Sequence, residues 1–359
     1  MHPTEKVWPC GNVYKQYIRR KWMVLFILAV VLFFMFVFCV TVGSAGISVL
    51  ETLRVLFGGG AAASRIIIWN VRMPRIAAGI SVGIALAMAG CVMQNVLRNP
   101  LAAPATLGVS QGASFGAALA IVYFGAGIQI NAGTSAAIAI TNPYMVTICA
   151  FLGGIATTAV ILCLSRIGKV TPSVMILAGV ALSALFTGAT TLVQYFSDDV
   201  MIASIVYWTF GSLGRAGWRE IALVFFLGIA SFLYFFFNRW NYNAMESGTH
   251  TAKSLGVNID TLILVSMTVA ALISAVAVAF VGIINFIGLI APHMVRKFVG
   301  NDHRFLIPCS ALMGAVLMLA ADLASRMLLA PVILPIGALT SFLGAPLFLY
   351  MIIKKGNIK

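Results

Sequence analysis

The chain has 359 residues, of which 61% are hydrophobic and only 9% carry a charge. A soluble domain carries about 25% charged residues, so this composition excludes soluble domains and predicts a helical protein that crosses a membrane several times. A membrane β-barrel is also excluded, because its strands would alternate apolar and polar residues over about ten positions. The net charge of +14 is explained by Lys and Arg in loops that face the cytoplasm, and we predict no nucleic-acid partner.

Long apolar runs divide the chain into predicted spans. A crossing needs about 20 apolar residues, and ten runs come near or exceed this length: 22–42, 76–97, 105–124, 144–164, 173–195, 219–237, 261–281, 287–299, 306–327 and 337–353. The first run is longer than the apolar region of a signal peptide, which is about 7–15 residues, so we predict that it is retained. The eighth is short for a full crossing, so its neighbours must be partly re-entrant or packed inside protein.

Two segments between the spans are treated separately. Segment 200–214 is apolar but short and interrupted by glycine, so we predict an external helix. Segment 125–142 is rich in Gly, Ala and Thr, and its sequence leaves both a loop and a partial helix open.

The distribution of basic residues orients the chain. With the N-terminus inside, sixteen of the 23 Lys and Arg residues, including every lysine, fall on inner loops and ends, as the positive-inside rule expects. We therefore predict a cytoplasmic tail over 1–21, one transmembrane domain over 22–355 with a cytoplasmic loop over 238–260, and a cytoplasmic tail over 356–359. The seven outer basic residues are all arginines, which suits fixed ion pairs: Arg54, Arg65, Arg72, Arg75, Arg215, Arg219 and Arg326.

Small residues recur at spacings of three or four in the second and third spans. This spacing places them on one helical face, where two backbones can approach closely. Tight packing inside one subunit is the favoured interpretation, and lining of a pathway by exposed backbone is the alternative. The residues are Gly79, Gly83, Ala87, Gly90, Gly112, Gly116 and Ala120.

The chain lacks residues that would power transport or catalyse a reaction. It contains no GxxxxGK(S/T) phosphate loop. An ion-coupled transporter usually carries ionisable residues at mid-membrane, yet eight of the nine acids lie in tails, loops or span ends, and an ion pair with Arg326 explains the ninth, Asp322. Local hydrogen bonds explain His293 and His303, and the six cysteines form no CxxC pair. We predict no catalytic residue, metal site or bound cofactor, so transport needs an external energy source.

Short motifs in a fixed order resemble a known family. In the first half they are Arg72-Met73-Pro74-Arg75, Gln94, Arg98-Asn99-Pro100-Leu101-Ala102 and Leu107-Gly108-Val109-Ser110-Gln111-Gly112-Ala113. In the second half they include Phe286-Ile287-Gly288-Leu289-Ile290-Ala291-Pro292-His293, Asp302-His303-Arg304, Ala321-Asp322, Arg326, Leu334-Pro335-Ile336-Gly337 and Gly344-Ala345-Pro346. Together they resemble the permease subunits of ABC importers for ferric siderophores, haem and cobalamin, the FecCD type. The likeness runs from about residue 20 to 355.

The resemblance implies a transport subunit with ten spans that is not itself an enzyme. It implies a second permease copy in a homodimer, two ATP-binding subunits that hold ATP and magnesium, and an extracytoplasmic substrate-binding protein. The expected cargo is a metal chelate, first a ferric siderophore, with haem or cobalamin as alternatives. The expected location is a prokaryotic cell membrane, the inner membrane in a Gram-negative cell. An ion-coupled secondary transporter and a structural or signalling membrane protein are the rival interpretations.

Three arginines form the first predicted site. Arg72 and Arg75 flank Pro74 at i and i+3, and Arg326 ends the ninth span. Arginine suits bidentate pairing with carboxylates, and the resemblance places these three against acidic residues of the binding protein. Anchoring at the level of the lipid headgroups is the alternative.

Two turns form the second predicted site, a cytoplasmic gate. Asn99, Pro100 and Leu101 break the chain between the second and third spans, since the residue before a proline is disfavoured in a helix. The resemblance places this turn and the one at Pro172 and Ser173 around the exit of the pathway. A purely structural turn is the alternative.

The third predicted site lies in the loop 238–260. Ala252 and Leu255, at i and i+3, form a short apolar stripe between Gly248 and Gly256, with Gly256 as the helix stop. Such a stripe fits a groove on a partner, and the resemblance makes it the helix that docks on the ATPase. An ordinary solvated loop is the alternative.

Overall fold

The computed structural model describes residues 10–43, 46–125, 127–132, 135–140, 142–168, 171–330 and 332–356. Within these residues a π-helical turn, Ile68–Arg72, joins the third helix to the fourth, and a 3-10 turn, Leu213–Arg215, precedes the ninth. The helices and strands, in chain order, are α1 (Cys10–Thr41), α2 (Val49–Leu56), α3 (Ala62–Ile67), α4 (Met73–Val96), α5 (Val109–Tyr123), β1 (Gly127–Ala132), β2 (Ser135–Ile140), α6 (Pro143–Gly168), α7 (Pro172–Tyr195), α8 (Asp199–Thr209), α9 (Trp218–Phe237), α10 (Arg239–Glu246), α11 (Thr249–Ser254), α12 (Ile259–Val281), α13 (Ile287–Val299), α14 (His303–Met327) and α15 (Ile336–Gly356).

Each of the ten predicted spans coincides with a helix, which confirms the helical, polytopic fold. The ten are α1, α4 to α7, α9 and α12 to α15. Among the described residues, seven helical stretches are long and apolar enough to cross a membrane, and α5 and α15 are shorter apolar helices. α13 has 13 residues, and its first half is buried where it packs on α4 and α14. The buried half of the short eighth run therefore lies inside protein, against α4 and α14.

The described residues of segment 125–142 form neither of the two structures that the sequence left open. It contains the antiparallel pair β1 and β2, with Gly127 opposite Ile140 and Ala132 opposite Ser135. Isoleucines at every second position, 128 and 130 in one strand and 138 and 140 in the other, favour a strand, because β-branched side chains suit a pleated surface. Both strands contact α8, which is a helix at the position predicted for an external one.

α4 is the central helix of the bundle and packs against α9, α12, α13 and α14. Its small residues explain this position. A β-carbon on Gly90 would overlap the carbonyl oxygen of Gly288 in α13, and one on Gly83 would meet the backbone of Gly314 in α14. The glycines of α5 meet the backbone of α6 in the same way. These residues therefore serve close packing inside one chain, the favoured interpretation.

The helix that contains the second span begins earlier than its apolar run at residue 76. The helix is continuous over Ala62–Val96, although Pro74 lies within it. Proline has no N–H, and its ring clashes with the carbonyl four residues earlier in an ordinary helix. The wider π-helical turn just before it, in which the N–H of Met73 bonds to the oxygen of Ile68, relieves this conflict.

The bundle has two distinct ends. The arginine end carries Arg72, Arg75 and Arg326, where the last turns of α1 and α14 meet the first turn of α4. The loop end carries α10, α11 and the connection between α13 and α14, where Asn95 at the end of α4 and Asn301 both bond to Glu246.

Candidate functional site

A fully buried carboxylate organises the arginine end. Arg75 Nε donates a hydrogen bond of 2.6 Å to Oδ1 of Asp322, and Arg326 Nη2 lies 3.0 Å from Oδ2 of the same residue. Arg75 Nη2 also donates to the hydroxyl of Ser325 at 3.3 Å. The ion pair predicted between Asp322 and Arg326 is confirmed, and it is shared with a second arginine from α4.

Arg72 and Arg326 also bind carbonyl oxygens at the end of α1. Arg72 Nη1 donates to the oxygens of Val40 at 2.7 Å and Thr41 at 3.2 Å, and Arg326 Nη1 donates to that of Val42 at 3.1 Å. The last carbonyls of a helix have no partner within it, and positive charge is favourable there. α1 has no basic residue in its own last turn. Arg72, at the end of the π-helical turn, and Arg326 of α14 therefore supply both the hydrogen-bond donors and the positive charge.

Direct contact of Arg72, Arg75 and Arg326 with a binding protein would require exposed side chains, and the structure buries all three. Arg72 and Arg75 are 5% and 8% exposed, and the side chain of Arg326 is 9% exposed. Their guanidinium groups face internal partners and not headgroups, which also counts against the anchoring alternative. A docking role for the three arginines stays a prediction. The arginines exposed at this end are Arg54, Arg65 and Arg219.

Arg215 borders two cavities at the arginine end, and no sequence signal distinguishes it from the other six outer arginines. Its Nη2 donates to the oxygen of Tyr207 at 3.2 Å and its Nη1 to that of Trp208 at 3.4 Å, which caps α8. Burial lowers the pKa of Arg215 to about 10, so it is still cationic at neutral pH. One cavity, about 540 Å³, is also lined by Arg75, Ser204, Tyr207, Ser212 and Leu334. The other, about 230 Å³, is also lined by Tyr144, Thr147, Trp208 and Glu220.

At the loop end, α11 is a short helix followed by one exposed apolar side chain, that of Leu255. Gly256 (φ +82°) ends the helix as predicted: its N–H bonds to the oxygen of Lys253 at 2.9 Å, and the N–H of Val257 bonds to that of Ala252 at 3.0 Å. This pair of bonds is the Schellman arrangement. The predicted two-residue stripe is wrong in one member, because Ala252 is fully buried in its own chain. Leu255 is 68% exposed and available to a partner.

A polar network ties α10 to the bundle beneath α11. Lys21 of α1 donates to Asp302 at 3.2 Å, and Asn243 of α10 donates to the same carboxylate at 3.1 Å. Burial would raise the pKa of Asp302, but the hydrogen bonds from Asn243 and Lys21 outweigh it, and the pKa lies below its ordinary value. His303 bonds to Asn243 through Nδ1 at 3.0 Å, so its predicted local hydrogen bonding is confirmed.

The two turns predicted to form a gate both lie at the loop end. The Asn99 side chain accepts the N–H of Leu101 at 2.8 Å and closes the turn around Pro100, and Leu101 is exposed. Pro172 is the first residue of α7, and Ser173 is exposed. α5 and α6 are antiparallel and in close contact, with Gly108 beside Thr157 and Gly116 beside Cys149. The last turn of α6 therefore lies at the end of the bundle where α5 begins. A gate role stays a prediction.

A bundle of apolar helices, in which internal partners hold charged side chains at both ends, is that of an integral membrane protein. The model of the FecCD transport family matches residues 19–354, and the chain belongs to this family, as its motifs indicated. It is therefore a multi-span membrane permease, a transport subunit and not an enzyme.

Relatives match nearly the whole chain. A protein of Methanocaldococcus jannaschii named as an ABC transporter permease is 52% identical over 341 residues, 95% of this chain and 97% of that protein. The Fe(3+)-citrate import system permease protein of Bacillus subtilis is 31% identical over 94% of this chain and 96% of its own length. A solved metal-chelate type ABC transporter in an inward-facing conformation has a TM-score of 0.77 at 30% identity, and covers 93% of this chain and 99% of its own.

Proposed function

We propose that this chain is the permease of an ATP-driven importer that carries a ferric chelate across a prokaryotic cell membrane. Two copies would form the pathway, two ATP-binding subunits would dock at the loop end, and a substrate-binding protein would deliver the chelate at the arginine end. Both termini would be cytoplasmic. The observation that carries the proposal is the similarity over nearly the full chain to a Fe(3+)-citrate import permease. Haem and cobalamin remain the alternative cargoes.

The exposed face of α7 supports a pathway at the contact between two copies. Ser173, Thr187 and Thr191 lie along it and are exposed, and a β-carbon added to Gly188 would meet nothing within 4 Å. The hydroxyls of Thr187 and Thr191 donate to carbonyls of their own helix, at 2.8 and 3.0 Å. Such hydroxyls have a bonded partner already, so this face offers a cargo few strong binding groups, which suits a surface along which cargo must move.

Leu255 supports docking of an ATP-binding subunit at the loop end. It follows a helix that is stopped by Gly256 and fixed to the core through buried Ala252. The network around Asp302 and Asn243 holds the adjoining α10 on α1 and α14. An apolar side chain presented on a rigid support is what a groove in a partner can recognise.

Uptake by the reconstituted complex tests the cargo. The permease, its ATP-binding subunit and its binding protein are placed in lipid vesicles and offered ferric citrate, a ferric hydroxamate, haemin and cobalamin. We expect ATP-dependent uptake of a ferric chelate in preference to haemin and cobalamin. Preferred uptake of haemin or cobalamin would favour the corresponding alternative. Uptake by the permease alone, driven by a proton or sodium gradient, would contradict the proposal.

A charge on α11 tests the docking surface. Leu255→Asp should lower association with the ATP-binding subunit and substrate-stimulated transport together, because burying an unpaired carboxylate in an apolar groove costs several kcal/mol. Ile167→Asp is the matched control, because Ile167 is 84% exposed at the same end but lies on α6. Normal association in the Leu255 variant, or an equal loss in the control, would show that α11 is not the docking surface.

A further inference from the structure

Arg215 is a half-buried cation that has no carboxylate partner within 4.0 Å among the described residues. Among the described residues, the ion pairs within 4.0 Å are Lys21–Asp302, Arg75–Asp322 and Arg326–Asp322. Arg215 belongs to none of them, and its hydrogen bonds go to two backbone carbonyls. β1 and β2 pack on α8 but contain no charged residue, so they cannot supply the missing acid.

The carboxylates nearest to this site do not neutralise it. Glu220 borders the smaller cavity with Arg215, yet the two do not form an ion pair. Asp322 is already shared between Arg75 and Arg326. A charge withdrawn from water without a counter-ion is costly to the fold, and the lowered pKa of Arg215 reflects this desolvation. An anion that enters the cavity would recover part of that cost.

The larger cavity has the size and the donors that an anionic group requires. Its volume of about 540 Å³ lies within the roughly 300–1,000 Å³ range of ligand sites. Arg75 of α4 lines the same cavity. Gly214 has no side chain, which leaves space beside Nη1 of Arg75; a β-carbon on Gly214 would stand 3.6 Å from this atom. The hydroxyls of Ser204 and Ser212 belong to the same wall. A planar guanidinium pairs with a carboxylate through two parallel hydrogen bonds.

We propose that Arg215, with Arg75 beside it, forms a subsite at the arginine end that binds a carboxylate of the incoming chelate. This inference rests on the proposed import function and narrows its cargo. A ferric chelate that carries free carboxylates would use the subsite, whereas an uncharged hydroxamate chelate or cobalamin would not. An acidic side chain of the binding protein offers the same chemistry, and the experiment separates the two sources.

The subsite is tested by measuring how tightly two chelate probes bind to the full permease. The permease is held in lipid nanodiscs with its ATP-binding subunit and without binding protein. The probes are ferric citrate and an uncharged ferric hydroxamate. Arg215→Gln should raise the Kd for ferric citrate by about tenfold or more and leave that for the hydroxamate within about twofold. Arg219→Gln is the matched control, because Arg219 is exposed at the same end, and it should change neither. Equal ferric citrate affinity in parent and Arg215→Gln, or no binding by the parent, would overturn the proposal.

Two further arms keep the result unambiguous. Arg215 caps α8, so Arg215→Lys serves if the Gln variant does not fold. Lysine keeps the charge but lacks the planar fork, and we expect weakened ferric citrate binding with unchanged hydroxamate binding. Weaker capture of hydroxamate-loaded binding protein by Arg215→Gln, with normal ferric citrate affinity, would assign the subsite to the binding protein and overturn the cargo assignment. Carboxylate binding without any ATP-dependent uptake would leave the subsite standing and contradict only the import function.

Discussion

Removing the charge of Asp322 should destabilise the protein more than any change to an exposed acid. The carboxylate has no exposed surface and faces Arg75 at 2.6 Å and Arg326 at 3.0 Å. Asp322→Asn keeps the shape of the side chain but leaves two largely buried guanidinium groups without a counter-charge. Breaking a buried pair by removing one partner costs about 3–5 kcal/mol. We expect the free energy of unfolding, measured by equilibrium unfolding in mixed detergent micelles, to fall by about that amount.

The control for this change is Asp198→Asn. Asp198 is exposed and makes no side-chain bond at the start of α8, so its loss should stay within about 0.5 kcal/mol. Arg326→Met should cost less when combined with Asp322→Asn than in the parent, because residues in one ion-pair network are energetically coupled. A loss below about 1 kcal/mol for Asp322→Asn, or additive effects of the two changes, would refute the argument that this carboxylate holds α4 and α14 together.

Two further predictions follow from packing and from charge. Gly90→Ala should reduce folded yield and thermal stability sharply, because its β-carbon would overlap the Gly288 carbonyl. Gly188→Ala, on the exposed face of α7, should be tolerated. Equal stability of the two variants would contradict the packing argument. The pKa of Asp302 lies below its ordinary value of 3.8, so its contribution to stability is present above that value and is lost as the pH falls through the folded-state pKa. The free energy of unfolding, measured between about pH 5 and 3, should therefore depend less on pH in Asp302→Asn than in the parent. An unchanged slope would show that the contact with Lys21 and Asn243 contributes nothing.

The sequence predicted the helices well because a bilayer leaves few choices. A long apolar run must be helical to satisfy its backbone, and each of the ten runs is. It predicted less of the candidate site, because partners distant in the chain decide where a charge points. Asp322 has one arginine four residues away and another 247 residues away, and only the first could be read from spacing. The carbonyls that bind Arg72 carry no signal in side-chain identity, so its burial was missed.

The same limit explains the half-correct prediction for α11. The spacing correctly placed Ala252 and Leu255 on the same face of the helix. It could not show that Ala252 is buried against the rest of this chain while Leu255 is exposed. Arg215 was missed for a different reason. Its significance is that it forms no ion pair with a described carboxylate, and this becomes visible only when the surrounding helices are in place.

The backbone contacts around α4 restrict how this subunit can change shape. Where Gly90 meets Gly288 and Gly83 meets Gly314, no side chain intervenes that could adopt another rotamer, so α4 cannot slide along α13 or α14 without breaking the contact. Under the proposed function, α4, α13 and α14 would thus move as one rigid body during transport. The helices that move would then be those with few contacts to α4, α13 and α14. α7, which is exposed along most of its length, is the helix best placed to tilt.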